Sequence, residues 1–483
     1  MKLKSKTNSI FIDCQWHHTD GQETETVYNP ATLEAITEVA YGGKAEAQAA
    51  IQAASQAFKT WRDMTGRERS RILYKAHELM LEDADRLGEI LTTEQGKPLK
   101  EAVGEVKGAA NFLLWYAEEA SRTYGEWIPS SNKSKRLLVI PQPVGVVGAI
   151  TPWNFPSSMI TRKIAPALAA GCTVVLKPAP ETPLSAIEIV KILEKAGMPD
   201  GVVNLVTGDA EAIGNTMLES KDVRLMTFTG STAVGKYLMR ESANHVKKLS
   251  LELGGHAPIV VFDDAAIDKA VSLALASKFR NNGQTCICAN RIYVHESVKD
   301  MFNDRLTKKV AELKVGDGTE EGIDLGPLIN EQASLKVQKH LDDAVSKGAK
   351  VVSGGDKWNG GLDGYFYQPT VLANVTDNML VMNEETFGPL MPVQAFSDED
   401  AVIDKANDTD YGLAAYIFTE TTSRAVRVSE KLEYGIVGVN DVFPAVAEAP
   451  FGGIKQSGVG KEGGHHGMDE FLEMKYVTMG IDN

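Results

Sequence analysis

Two cysteines stand two positions apart in GQTCICAN, Gly283 to Asn290, in a chain of 483 residues that has four cysteines in all. A cysteine sulfur can ligate a metal, pack as a small apolar group, or attack an electrophilic carbon as a thiolate. The spacing of Cys286 and Cys288 alone admits each of these. Four zinc ligands are hard to assemble, however. There is no second C-x-C or C-x-x-C pair and no histidine pair at a usual interval, and His465-His466 reads as a solvated turn in a glycine-rich segment. No metal is expected.

Phosphate chemistry has two candidate positions. FTGSTAVG follows an apolar run, but of the G-x-G-x-x-G fingerprint only Gly230 and Gly235 are present, with Thr232 in place of the middle glycine. Ser231 and Thr232 can still cap a following helix whose free N–H groups would face a pyrophosphate; an ordinary capped helix fits the same residues. In VVLKPAP, Lys177 ends an apolar run directly before a proline, where it can meet a ribose or phosphate or be a solvated strand end.

The elements that must position these groups are legible in the periodicity. Ala47, Ile51, Ala54, Phe58 and Trp61 recur at helical spacing, and two further helical patterns follow at about 67–95 and 99–122, separated by Gly96-Lys97-Pro98. From residue 144 short apolar runs alternate with helical segments. VGVVGAI at 144, TVVLKP at 173 and VVNLV at 202 start 29 residues apart, and RLMTFTG at 224 and KLSLELGG at 248 follow. That is the rhythm of strand-helix-strand units in a parallel sheet covered on both faces, which binds ligands at the carboxyl ends of its strands. PIVVF, RIYVH, AKVVSGG, AAYIF and GIVGVN, between about Pro258 and Val439, predict a second α/β domain.

Composition agrees with an α/β protein of two or three domains: 43% of residues are hydrophobic and 24% charged. The net charge of −15, from 50 basic against 65 acidic residues, opposes binding to nucleic acid or an anionic membrane. No apolar run reaches the ~18 residues of a membrane helix, and none of signal-peptide length follows the lysines of MKLKSKTNSIF. With four scattered cysteines, these features predict a reducing, cytoplasmic setting.

The motifs together are more specific than any one of them. PWNFP (Pro152 to Pro156), LKPAP, FTGST, LELGGH (Leu251 to His256), GQTC, EETFGP (Glu384 to Pro389) and PFGGIKQSG (Pro450 to Gly458), in this order and spacing, resemble the aldehyde dehydrogenase superfamily over essentially the whole chain. ITRKIAPALAAGC, ASKFRNNGQTCICANR and EYGIVGVND look like its succinate-semialdehyde dehydrogenase branch. The resemblance implies an aldehyde dehydrogenase-like fold. A Rossmann-like NAD(P)-binding domain would span 1–121 and 141–251, an α/β catalytic domain 252–462, and an oligomerisation element 122–140 with 463–483, so that a homodimer or homotetramer is expected. The family's sheet departs from the usual glycine fingerprint, which accounts for Thr232.

The implied reaction is oxidation of succinate semialdehyde to succinate through a cysteine thiohemiacetal and thioester, with NADP or NAD as cofactor and a place in GABA degradation. By the resemblance Cys286 is the nucleophile, Asn154 with the Cys286 backbone N–H the oxyanion donor, and Glu252 the base for the deacylating water; Lys163 has a supporting electrostatic role. Cofactor contacts are implied for Ile150, Thr151, Pro152, Trp153, Lys177, Ala179, Pro180, Gly230, Ser231, Leu253, Glu385 and Phe387. Pro180 stands where many NAD-preferring members carry an acid, so dual use or an NADP bias is expected.

Arg162 and Arg280 match positions that hold the substrate carboxylate. Ala445 stands where a serine often joins them, which opens the chain length to glutarate semialdehyde or another ω-oxoacid. Oxidation could join Cys286 and Cys288 in an easily reduced disulfide, as in similar enzymes. A CoA-acylating relative would not need Glu252, and a non-catalytic paralogue would have lost one of Cys286, Glu252 and Asn154; all three are present.

Overall fold

The computed structural model describes residues 7–17 and 23–481. The lysine-bearing start, Met1 to Lys6, and the last two residues of the expected C-terminal element lie outside them.

The first quarter is helical, as its periodicity predicts. Lys44–Trp61 buries Ala47, Ile51, Ala54 and Trp61 and half-buries Phe58. Where the pattern suggests one helix over 67–95 there are two, Gly66–Glu82 and Ala84–Gln95, because Asp83 leaves helical geometry at φ −106°, ψ 12° and binds Arg86 with its carboxylate. The Gly96-Lys97-Pro98 break separates the second of these from Leu99–Glu119. Gly96 adopts φ +93°, and a Cβ there would lie 2.7 Å from Pro327.

The five expected strands of the first sheet form as Val146–Ile150, Thr173–Lys177, Val203–Leu205, Val223–Thr229 and Lys248–Glu252, all paired in parallel. Successive residues serve opposite faces: Val146, Val175 and Met226 enter one core, and Val147, Val174 and Leu225 the other. In sheet order the first strand lies between the second and the fourth, so the winding reverses at the carboxyl ends of Val146–Ile150 and Val223–Thr229. A crevice must open there, because the following helices leave to opposite faces. PWNFP and FTGST are the turns at that crevice.

A second sheet has seven strands, with Ala257–Val261, Ala289–His295, Leu390–Phe396 and Ala414–Phe418 at its centre. Two of the seven, Thr370–Ala373 and Leu390–Phe396, escape the periodicity. Pro392 sits inside the latter, opposite Leu372, and proline in an interior strand argues against a strand when read alone. A third sheet joins Glu126–Ile128, Lys135–Pro143 and Leu472–Gly480, the last two in register from Pro143↔Leu472 to Lys135↔Gly480. No helix of the described residues is long and apolar enough to cross a membrane.

Candidate active site

Cys286 is delivered by a backbone that few residues tolerate. After the helix Ile267–Phe279 the chain turns through Asn281 (φ 48°) and Asn282 (φ 55°), both left-handed, and Gly283 (φ +75°), where a Cβ would sit 2.3 Å from the Gly388 carbonyl oxygen. The strain is held by side-chain bonds. The Asn281 amide donates to the Asn154 carbonyl at 2.9 Å, Asn282 donates to the Gly326 carbonyl at 2.9 Å, and the Gln284 side-chain oxygen accepts from the Ile329 N–H at 2.9 Å. Lys97, buried with Glu105, donates to the same Asn154 carbonyl at 2.7 Å. The Asn154 side-chain amide in turn donates to the Gln284 carbonyl at 3.1 Å, so PWNFP and GQTC are tied face to face. Gly255 belongs to this fit, since a Cβ there would lie 2.2 Å from the Cys286 carbonyl oxygen.

Two cavities meet at this point. One, of about 500 Å³, lies in the crevice and is lined by Pro152, Trp153, Asn154, Gly230, Ser231, Leu253, Glu385 and Phe387. The other, of about 300 Å³, is lined by Phe155, Arg162, Arg280, Ala445 and Phe451. Cys286 and Met159 belong to the walls of both, so the sulfur stands where a molecule in one cavity touches a molecule in the other.

The larger cavity suits a dinucleotide. Ser231 caps the helix Thr232–Ser242 by accepting from the Val234 N–H, leaving the helix N-terminus beside the cavity. The buried Thr229 hydroxyl there has no hydrogen-bond partner. Trp153 and Phe387 meet edge to face at 5.6 Å, and the Glu385 carboxylate accepts from the Gly255 N–H at 2.9 Å. Ile150, Thr151, Lys177 and Ala179 do not line this cavity; they sit at or just past the ends of the two neighbouring strands, where the Thr151 N–H donates to the Lys177 carbonyl. Pro180 faces a separate cavity together with Glu25 and Glu181. Burial pushes the Lys177 ammonium down in pKa, while Glu181, Glu25 and Asp209 push it back up.

The aldehyde dehydrogenase family model matches residues 16–477. The chain belongs to that family. It is 52% identical to the succinate-semialdehyde dehydrogenase (NADP+) GabD of Escherichia coli over 484 residues, covering 100% of both chains. It is also 52% identical to a glutarate-semialdehyde dehydrogenase of Pseudomonas putida, covering 98% of this chain and 97% of that one. The solved succinate-semialdehyde dehydrogenase of Burkholderia pseudomallei superposes with a TM-score of 0.97 at 49% identity, covering 99% of this chain and 98% of the other. A betaine aldehyde dehydrogenase of Staphylococcus aureus in complex with NAD+ superposes at 0.96 with 36% identity, covering 99% and 96%.

Within this aldehyde dehydrogenase, burial governs the reactive groups. It raises the Cys286 thiol to about 12, helped by the Glu252 and Glu385 carboxylates, while the residue's own N–H faces the sulfur. Glu252 is 3% exposed with both oxygens unpartnered, and burial followed by the Glu462 charge raises it to about 8.

Glu462 itself escapes the motif reading. It lies 299 residues from Lys163, whose ammonium donates to it at 2.6 Å, and its other oxygen is 3.2 Å from Arg162 Nε in ion-pair contact without hydrogen-bond alignment. Burial pushes Glu462 up, but Lys163 and Arg162 outweigh it and hold the carboxylate below its usual range. Lys163 lines neither cavity, and its ammonium is taken up by this carboxylate and by the Thr227 hydroxyl at 3.3 Å.

Arg162 is buried between the rings of Phe451 at 3.9 Å and Phe112 at 5.4 Å, and its Nη2 has no hydrogen-bond partner. Arg280 stacks over Phe155 at 5.0 Å. Cys288 is 1% exposed, and its sulfur turns to the Lys278 carbonyl at 3.6 Å; both cysteines are free thiols.

Proposed function

We propose that this chain oxidises succinate semialdehyde to succinate with NAD or NADP, and that glutarate semialdehyde is a second substrate. The observation that carries the reading is Cys286 between a dinucleotide-sized crevice and a cavity holding an arginine with a free, buried donor. A buried guanidinium edge without a partner is costly unless an anion completes it, and a planar carboxylate matches its fork.

The aldehyde carbon meets the Cys286 sulfur while its far carboxylate engages Arg162 and Arg280. The thiol passes its proton to solvent water as the sulfur bonds to that carbon, and the Asn154 amide and Cys286 N–H hold the oxygen's developing charge. NAD or NADP held in the crevice would supply the hydride acceptor that thioester formation requires. Ser231 and the N-terminus of the helix behind it would hold its diphosphate, and Trp153, Phe387 and Glu385, which line the same cavity, would hold its other end. Glu252 then takes a proton from water, which attacks the thioester and frees the acid. Its raised pKa suits both states, since it must receive a proton and lose it again near neutral pH.

The three-stranded sheet supports a homo-oligomer. It exposes Trp127 and Ile140 on one face and Met474 and Tyr476 on the other, more apolar surface than a monomer usually leaves bare. Residues 122–140 with 463–483 serve as the oligomerisation element of a dimer or tetramer, 1–121 with 141–251 as the cofactor domain and 252–462 as the catalytic domain. Scattered free cysteines and the absence of a membrane-spanning helix among the described residues support a cytoplasmic enzyme, and its substrate chemistry a place in GABA degradation. Cys288 stays available as a disulfide partner for Cys286 only if the loop turns its buried sulfur outward.

The test is the charge of the substrate. Arg162→Ala and Arg280→Ala should each lower kcat/KM for succinate semialdehyde on the order of 30-fold or more while costing an uncharged aldehyde far less. Equal losses on both substrates would remove the carboxylate assignment.

A further inference from the structure

Resting on the ω-oxoacid reading above, we propose that Gly104 and Gly108 form a specificity notch in the substrate cavity, which admits ω-oxoacids longer than four carbons at least as well as succinate semialdehyde. Both glycines lie in the helix Leu99–Glu119 and line the cavity, with Asn111 one turn further on. Residues four apart stack on one helix face, so the two gaps are continuous.

Packing does not require them. A Cβ on either would meet no heavy atom within 4 Å, whereas at the helical glycines Gly88, Gly235 and Gly467 it would come within 2.5, 2.4 and 2.2 Å of a neighbour. Neither adopts a left-handed φ, so the backbone does not require glycine either. Glycine in a helix interior costs stability relative to alanine. What the pair does accomplish is to keep side-chain volume out of the cavity. The facing loop does the same with Ala445 and Ala447.

An independent observation marks this space as a ligand site. Arg162, 3% exposed, lines it and keeps a buried Nη2 without a hydrogen-bond partner, and Arg280 lines it too. The volume of about 300 Å³ matches the lower end of sites that enclose drug-sized molecules, far more than a four-carbon chain fills. With the carbonyl end fixed at Cys286, the additional methylenes of a longer chain lie against the two glycines, and the arginines hold the carboxylate.

The experiment compares succinate, glutarate and adipate semialdehydes and an uncharged aldehyde across the parent, Gly108→Leu, Gly104→Leu and Gly108→Ala. In the parent, kcat/KM for the five- and six-carbon acids should equal or exceed that for the four-carbon acid. Gly108→Leu should cut the six-to-four-carbon ratio by about tenfold or more, the scale of a methylene gained or lost in a fitted pocket. Gly108→Ala should cut it less while raising the melting temperature, and it keeps the test alive if the leucine variants fail to fold. A ratio that changes less than about threefold in Gly108→Leu overturns the notch and leaves the activity standing. A parent enzyme that oxidises the uncharged aldehyde but no ω-oxoacid overturns the proposed function and the notch together.

Discussion

The two cavities that meet at Cys286 are built by different means. The crevice lies at strand ends and a helix N-terminus, where the turns PWNFP and FTGST meet Leu253, Glu385 and Phe387. The substrate cavity is walled by side chains from the helices Leu99–Glu119 and Pro156–Ala170, the Arg280 turn and the 445–451 loop. A site placed by the reversal of a sheet has its position fixed by the fold, whereas one gathered from separate helices and loops can be retuned position by position.

Two buried glutamates that line neither cavity show a contrast of their own. Glu252 and Glu462 are both buried, yet one is raised to about 8 and the other held below its ordinary range. Glu252 has no partner for either oxygen, while Glu462 has the Lys163 ammonium at 2.6 Å and Arg162 beside it. Burial alone makes a base that can be protonated; burial with cations makes a permanent charge.

The sharpest way to break the division of labour is Glu252→Gln. Hydride transfer uses the crevice and Cys286, so a first burst of reduced cofactor should survive, while steady-state turnover falls about 10²- to 10⁴-fold as acyl-enzyme accumulates. Loss of the burst as well would mean that Glu252 also activates the thiol. Asn154→Ala should cost about 3 kcal/mol of barrier, on the order of 10²-fold in kcat, with both substrates' affinities little changed. Single-turnover kinetics separates the two variants, since Asn154→Ala slows the burst itself.

The pH profile tests the pair of glutamates. A base works only when deprotonated, so deacylation should rise with pH through about 8, the raised value of Glu252. Glu462 raises that value and Arg162 and Lys163 lower it, so Glu462→Gln should move the rising limb to lower pH; an unmoved limb would show that the two carboxylates do not communicate. The smallest effect belongs to the far side of the crevice. Glu181→Gln removes a negative charge near Lys177, and the NADP to NAD ratio of kcat/KM should rise by a few fold with the aldehyde's KM unchanged.

Much of the crevice is legible in the order of the residues. The 29-residue rhythm names its strands, the lysine and glycine-threonine turns fall at their carboxyl ends, and the expected thiol and amide line one cavity, with the Glu252 carboxylate near enough to raise the thiol. The rest is hidden for physical reasons. Pro392 conceals a central strand, because its missing N–H is harmless only in a pairing that the sequence does not display. Asp83 conceals a break between two helices, because a single capping residue with no glycine or proline beside it does not interrupt the helical spacing of the apolar residues. Glu462 escapes notice, because nothing near PFGGIKQSG says that it will reach a lysine 299 residues away.

Local patterns and motif order, which depend on neighbouring residues and side-chain type, determined by themselves the parallel sheet and the family resemblance, and through it the candidates for nucleophile, oxyanion donor and base. Only the tertiary structure decided that Glu252 is unpartnered while Glu462 is clamped, that Lys163 lies behind the wall, that the Cys288 sulfur turns to the Lys278 carbonyl, and that Gly104 and Gly108 line the second cavity. Each of these depends on which distant segments pack together, and it is packing that sets burial, the distance between charges and empty volume.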